Sequence, residues 1–84
     1  MNREELTAAL SAELKQIAPE ISFDHVDLNM DLRDAFEIDS MDFQNLVAAL
    51  HLRLSIPIPE TDYDQLETIN EALDYLMRQM KDKE

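Results

Sequence analysis

Apolar residues recur at helical spacing in three separate stretches of the chain, and the segments between them are irregular. In the first stretch Leu6, Leu10, Leu14 and Ile17 step by four, four and three behind Asn2, a candidate cap with Glu5 three residues on; Pro19 predicts the end of that helix. In the second, Phe43, Leu46, Val47, Leu50 and Leu54 follow the spacing of a buried stripe, which predicts a helix from about Ser40 to Leu54. Asp39 stands at its N-cap and Asp42 in its first turn, and Pro57 and Pro59 stop the chain from continuing as helix. The third opens on the capping-box pattern Thr68-Ile69-Asn70-Glu71 and carries Ile69, Ala72, Leu73, Leu76 and Met80 on one face, with Lys81 and Lys83 suited to its C-terminal end. A short helical turn is expected over Glu60 to Leu66. Residues 19–39 read as a long connection anchored by Phe23, Val26, Leu28, Leu32 and Phe36, and connections of that length often carry function. Strand signals are weak, and a chain without glycine does not favour tight hairpins. The expected fold is all-α: a single domain, residues 1–84, forming a small four-helix bundle of three longer helices and one short one.

Composition narrows the partners. Nineteen acidic against seven basic residues give a formal charge of −12, and from residue 54 to 77 there are six acids and no base. Such a field repels nucleic acid and favours partners that present Lys and Arg. At −12 the domain should also resist self-association, so a monomer is expected. A hydrophobic content of 45% argues against an acidic disordered tail. The absence of Cys removes disulfides, thiol catalysis and Cys-based zinc sites. No apolar run approaches the ~20 residues of a membrane span, and the start lacks the apolar stretch of a secretory signal, so the expectation is a cytoplasmic protein with no membrane span.

Candidate chemistry centres on Ser40. A hydroxyl at a helix start is exposed, and first-turn N–H groups with the positive dipole end favour an anionic substituent there, yet serine is also an ordinary helix-start residue. Asp27-Leu28-Asn29-Met30-Asp31 supplies oxygens at the first, third and fifth places of a calcium loop, but Leu32 stands where the loop needs Gly and Ile38 where it needs a bidentate Glu. No metal site is therefore expected. Hydrolysis would need a base and an oxyanion donor beside the nucleophile; the only histidines are His25 and His51, and no basic residue lies between Asp34 and Asp42. Asp39 and Asp42 read as solvated capping acids rather than an acid–base pair.

The wider pattern resembles the acyl carrier protein family, whose members bear a 4′-phosphopantetheine arm on the serine of an Asp-Ser-Leu motif. Asp39-Ser40-Met41 is similar to that motif, Leu32 and Phe36 to the apolar anchors before it, Ile58-Pro59 to the Ile-Pro after the motif helix, and Thr68-Ile69 with Ala72-Leu73-Asp74-Tyr75-Leu76 to the last helix. The resemblance implies that Ser40 is the attachment point, that Asp39 helps a phosphopantetheinyl transferase engage, and that Met41 lies beside the arm. It implies a phosphodiester-linked carrier that holds acyl cargo as a thioester, as in fatty-acid biosynthesis and lipid metabolism, and that catalyses nothing itself.

Two departures from the family pattern shape the expectation. Glu37 stands where Gly is usual, so the turn into the motif helix is made without Gly's freedom at positive φ. The outward side of that helix, strongly acidic in typical fatty-acid carriers, here continues through Gln44, Asn45, Ala48, His51, Leu52 and Arg53 with no acid after Asp42. Met41, Ala48 and Leu52 offer a small apolar contact instead, which points to a specialised carrier serving a dedicated acyl-activating, acyltransferase or synthase partner. An aminoacyl carrier of the D-alanyl type, or a peptidyl carrier, shares the serine and the arm. An unmodified acidic helical adaptor explains the charge but gives Ser40 no role.

Overall fold

The computed structural model describes residues 2–83. The chain is all-α: α1 (Arg3–Ile17), a 3-10 turn at Phe23–His25, the short α2 (Leu32–Ala35), α3 (Ser40–Leu54), a 3-10 segment over Glu60–Leu66, and α4 (Ile69–Lys83). The three long helices have 15 residues each. Their apolar faces meet in one core built from Leu6, Leu10 and Leu14 of α1, the five stripe residues of α3, and Ile69, Ala72, Leu73, Leu76 and Met80 of α4. No described residue buried in that core is polar or charged, apart from the hydroxyl end of Tyr75.

Local chemistry sets the helix ends. Asn2 and Glu5 form a reciprocal capping box, the Asn2 side chain accepting from the Glu5 N–H at 2.8 Å and Glu5 Oε1 accepting from the Asn2 N–H at 3.1 Å. Thr68 Oγ1 accepts from the Glu71 N–H at 3.0 Å, the threonine half of the capping pattern at α4. Lys81 sits exposed in the last turn of α4, and the side chain of Lys83 lies outside the described residues. Beyond α3, Ser55 takes a left-handed conformation (φ 55°), and the His51 Nδ1–H donates to the Ile56 carbonyl, which reverses the chain onto the buried Ile56.

The connection over residues 19–39 is more ordered than its sequence suggests. Leu32, Phe36 and Ile38 are buried, and Phe23 packs against Phe36 with ring centroids 6.1 Å apart. Leu28 does not anchor it through its side chain, which is 38% exposed; its carbonyl instead accepts from the Asn70 N–H at 3.1 Å. Asn70 also donates through Nδ2 to Asn29 Oδ1 and accepts from Arg3 Nη2, tying the connection to α4 and α1 at one point. The aspartate oxygens of the calcium-like segment serve as backbone caps: Asp27 Oδ1 accepts from the Asn29 N–H, and Asp31 Oδ1 from the Arg33 N–H at the start of α2. Among the described residues no cluster of three metal-binding side chains forms.

The 3-10 segment is held to α4 by Tyr75, whose ring is buried (2% exposed) and whose hydroxyl donates to Asp62 Oδ2 at 2.7 Å. Burial first, and the Asp62 carboxylate second, push the phenol up to about 12 from 10.0. Because the folded value is the higher one, the stability this group contributes is complete below pH 10 and is lost as the pH rises towards 12. Tyr75→Phe is expected to lower the unfolding free energy at neutral pH by about 1–2 kcal/mol, through the unpaired Asp62. The same variant should decline less steeply than wild type above pH 10; urea denaturation across the alkaline range measures both.

Candidate functional site

The site is built by the way the chain enters α3. The N–H of Leu32 donates to the Glu67 carbonyl at 2.6 Å, beside an isolated antiparallel bridge between Asp31 and Thr68, which pins the start of α2 against the start of α4. At its other end α2 closes in a Schellman turn: the Ile38 N–H donates to the Arg33 carbonyl at 3.0 Å and the Glu37 N–H to the Asp34 carbonyl at 3.4 Å. Leu32 and Ile38, the apolar residues on either side of the turn, are both buried in the core. Glu37 occupies the left-handed position at φ 53°. The departure from glycine therefore falls at the residue where glycine's freedom counts, since an L-residue there carries a cost of about 1–2 kcal/mol.

Two residues beyond the turn, Asp39 is extended and caps α3, its Oδ1 accepting from the Asp42 N–H at 2.8 Å. Ser40 is the first helical residue and is exposed. It opens onto a cleft of about 230 Å³ between α3, α2 and the 3-10 segment, with Phe43 and Tyr63 among its walls and Asp64, Glu67 and Arg33 at its edges. The two aromatic rings meet edge to face, 5.6 Å between centroids at 86°. The Arg33 guanidinium lies over the Phe43 ring at 5.4 Å, and its Nε is 3.5 Å from Asp31 Oδ1.

The residues singled out along this helix are distributed over three sides of it. Gln44 joins Ser40 in the cleft, and His51 lines an adjoining apolar groove of about 370 Å³ with Val47, Ala48, Ile58 and Tyr63. Met41, Asn45, Ala48 and Leu52, spaced by four, three and four, form the outward face, where Met41 and Leu52 are 64% and 76% exposed. Asp42 is half-buried on the opposite flank, beside Ile17 and Glu37, and Arg53 on the same flank pairs with Glu13 of α1 at 2.9 Å. Neither histidine lines the Ser40 cleft.

Sequence reasoning missed Arg33, Tyr63 and the two cleft carboxylates. Counting bases only between Asp34 and Asp42 excluded Arg33 by one position, and the Schellman turn then folds it back towards Ser40. The one signal in the chain was the single cation inside an otherwise acidic approach to the motif.

Ser40 thus stands exposed at a helix start, after a capping aspartate and beside the cleft. The sequence matches the family model described as "Phosphopantetheine attachment site" over residues 4–76, and the chain belongs to that family. It is 35% identical over 72 residues to an acyl carrier protein of Cyanidioschyzon merolae, covering 86% of this chain and 69% of the relative. An acyl carrier protein of Rubrobacter xylanophilus is 29% identical over 75 residues (88% and 82% of the two chains), and acyl carrier protein 2 of Pseudomonas aeruginosa is 35% identical over 49 residues (58% and 62%). The protein is thus a non-catalytic carrier domain of the acyl-carrier type, made for a phosphopantetheine arm. No described helix is long and apolar enough to cross a membrane.

Two substitutions test how the site is held. Glu37→Gly should raise the unfolding free energy by about 1 kcal/mol or less, strain relief being partly offset by glycine's entropy, whereas Glu37→Val should lower it. Glu37→Gln, which changes only the charge, separates the two effects in the same chemical denaturation series. At the cap, Asp39→Ala should cost about 1 kcal/mol, while Asp39→Asn, which keeps an acceptor for the Asp42 N–H, should stay within a few tenths of wild type.

Proposed function

We propose that Ser40 carries the 4′-phosphopantetheine arm as a phosphodiester and that the protein presents acyl cargo to a restricted set of partner enzymes, as a specialised rather than general fatty-acid carrier. The single observation that carries the assignment of the serine is its place as the exposed first residue of α3, directly after a capping aspartate, at the mouth of the cleft. The arm supplies a terminal thiol on which cargo is held as a thioester. The chain's own contribution is to hold the attachment point rigidly at a helix start, where first-turn N–H groups and the dipole favour the phosphodiester's charge. Asp39 and Met41, on either side of Ser40, are the residues offered to the phosphopantetheinyl transferase.

The narrower role rests on the outward face of α3. Met41, Asn45, Ala48 and Leu52 present two exposed apolar side chains and no acid, so a docking partner is selected there by apolar fit more than by ion pairs. Dedicated acyl-activating, acyltransferase or synthase enzymes in the cytoplasm, meeting a monomeric carrier, are the partners this surface suits.

Incubation with coenzyme A, magnesium and a broad-specificity phosphopantetheinyl transferase should add the mass of one phosphopantetheinyl group to the wild-type protein and none to Ser40→Ala, read by intact-mass spectrometry. No gain in wild type, or a gain that persists in Ser40→Ala, would overturn the assignment. Efficient replacement of a general carrier in fatty-acid synthesis reconstituted from its enzymes would overturn the specialised role, and loading by amino-acid-activating instead of acyl-activating enzymes would reassign the cargo.

A further inference from the structure

We infer that Arg33 is a positioning residue for the arm: its guanidinium takes the non-bridging oxygens of the phosphodiester at Ser40 and holds the first part of the arm against the Phe43–Tyr63 side of the cleft. The inference rests on the proposed attachment at Ser40 and goes beyond it, because it assigns a role to a residue outside the serine motif.

Four observations carry it. First, Arg33 and Ser40 line the same cleft, and the guanidinium is placed 5.4 Å over the ring of Phe43, which is one helical turn from Ser40 on the same side of α3. Second, the other charged groups at the cleft edge are the carboxylates Asp64 and Glu67, and Asp39 and Asp42 flank the serine along the chain. A phosphodiester attached there adds a negative charge to an acidic neighbourhood in which Arg33 is the only cation among the described lining residues. Third, among the described residues the other arginines each place at least one terminal nitrogen on a protein partner: Arg3 on Asp74 and Asn70, Arg53 on Glu13, Arg78 on Gln65. Arg33 makes its ion pair through Nε, at the long distance of 3.5 Å from Asp31, and stacks on Phe43, so its Nη edge can meet an oxyanion. A guanidinium binds two phosphate oxygens in parallel, and such bonds are roughly twice as strong as neutral ones. Fourth, the backbone of Arg33 is fixed by the turn that delivers Ser40, since its carbonyl accepts the Ile38 N–H and its N–H is capped by Asp31. Cation and attachment point are thus parts of one rigid unit.

The test is phosphorus NMR on holo-protein prepared from wild type, Arg33→Gln, Arg33→Lys and, as a control away from the cleft, Arg53→Gln, whose partner is Glu13 of α1. Wild type and Arg53→Gln should give a phosphodiester resonance broadened and displaced from that of a small phosphodiester in water. In Arg33→Gln the line should narrow and move to the free position, and in Arg33→Lys it should lie between, because an ammonium offers no fork. Raising the salt concentration should move wild type in the direction of Arg33→Gln. Equal shift and width in wild-type and Arg33→Gln holo-proteins with native circular dichroism would overturn the inference. A second measurement needs no variant: the Arg33 Nη–H signals should separate and slow in rotation between apo- and holo-protein, and identical signals in both forms would equally sink it. Failure to gain mass at Ser40 is a different result, and overturns the parent reading together with this one.

Discussion

The geometry of the site depends on a single turn, the Schellman closure of α2. Two hydrogen bonds and the burial of Leu32 and Ile38 convert a four-residue helix, far too short to persist by itself, into a rigid spacer between α4 and α3. One end of that spacer is tied to the Glu67 carbonyl beside α4, and the other releases the chain in the extended conformation that Asp39 needs to cap α3. Ser40 owes its exposure to this route, since Ile38 enters the core and the serine emerges on the far side of the cap. Glu37 carries the conformational cost at the centre of the turn, an example of local strain held in place by the packing around it.

The forces around the serine are small individually and act together. The Arg33–Asp31 contact is exposed and long, so it contributes little to stability and leaves the guanidinium free to change partners. Its stacking on Phe43 keeps it over the cleft, and the edge-to-face contact of Phe43 with Tyr63 in turn fixes the cleft wall. Tyr63 belongs to the 3-10 segment, which is itself fastened to α4 by the Tyr75–Asp62 and Arg78–Gln65 hydrogen bonds. The cleft is therefore shaped by residues distant in sequence, through a succession of packed and hydrogen-bonded pairs that ends on the core.

That succession explains what the sequence showed and what it hid. The three long helices were legible because their stripes repeat at 3.6-residue spacing, and their caps because Asn2 with Glu5, Asp39 with Asp42 and Thr68 with Glu71 each act over three residues. The place of Ser40 as the exposed first residue of α3 was legible for the same local reason. The helix α2 was not, because its stability comes from tertiary contacts at Leu32 and Phe36, which read equally well as anchors of a loop. Leu28 was misjudged because hydrophobicity alone cannot tell a buried side chain from an exposed one on a segment held by its backbone. Arg33 was hidden because its partner in space, Phe43, lies ten positions away across two turns that no periodicity predicts.

The distribution of charge separates meeting a partner from choosing one. A formal charge of −12 sets up a field that draws basic surfaces from beyond contact range, and the acids of residues 60–74 contribute to it without standing on the outward face of α3. Screening limits that field to about 10 Å at 0.1 M salt, so it acts as a general attraction and carries little information about which basic protein has arrived. In the proposed role the information lies on α3, whose acid-free face exposes Met41 and Leu52 to a docking enzyme. A surface that rewarded charge there would accept any enzyme adapted to an acidic carrier helix. One built from apolar side chains withholds ion pairs from such enzymes and leaves their basic groups desolvated without a partner, which is discrimination by unmet demand as much as by fit.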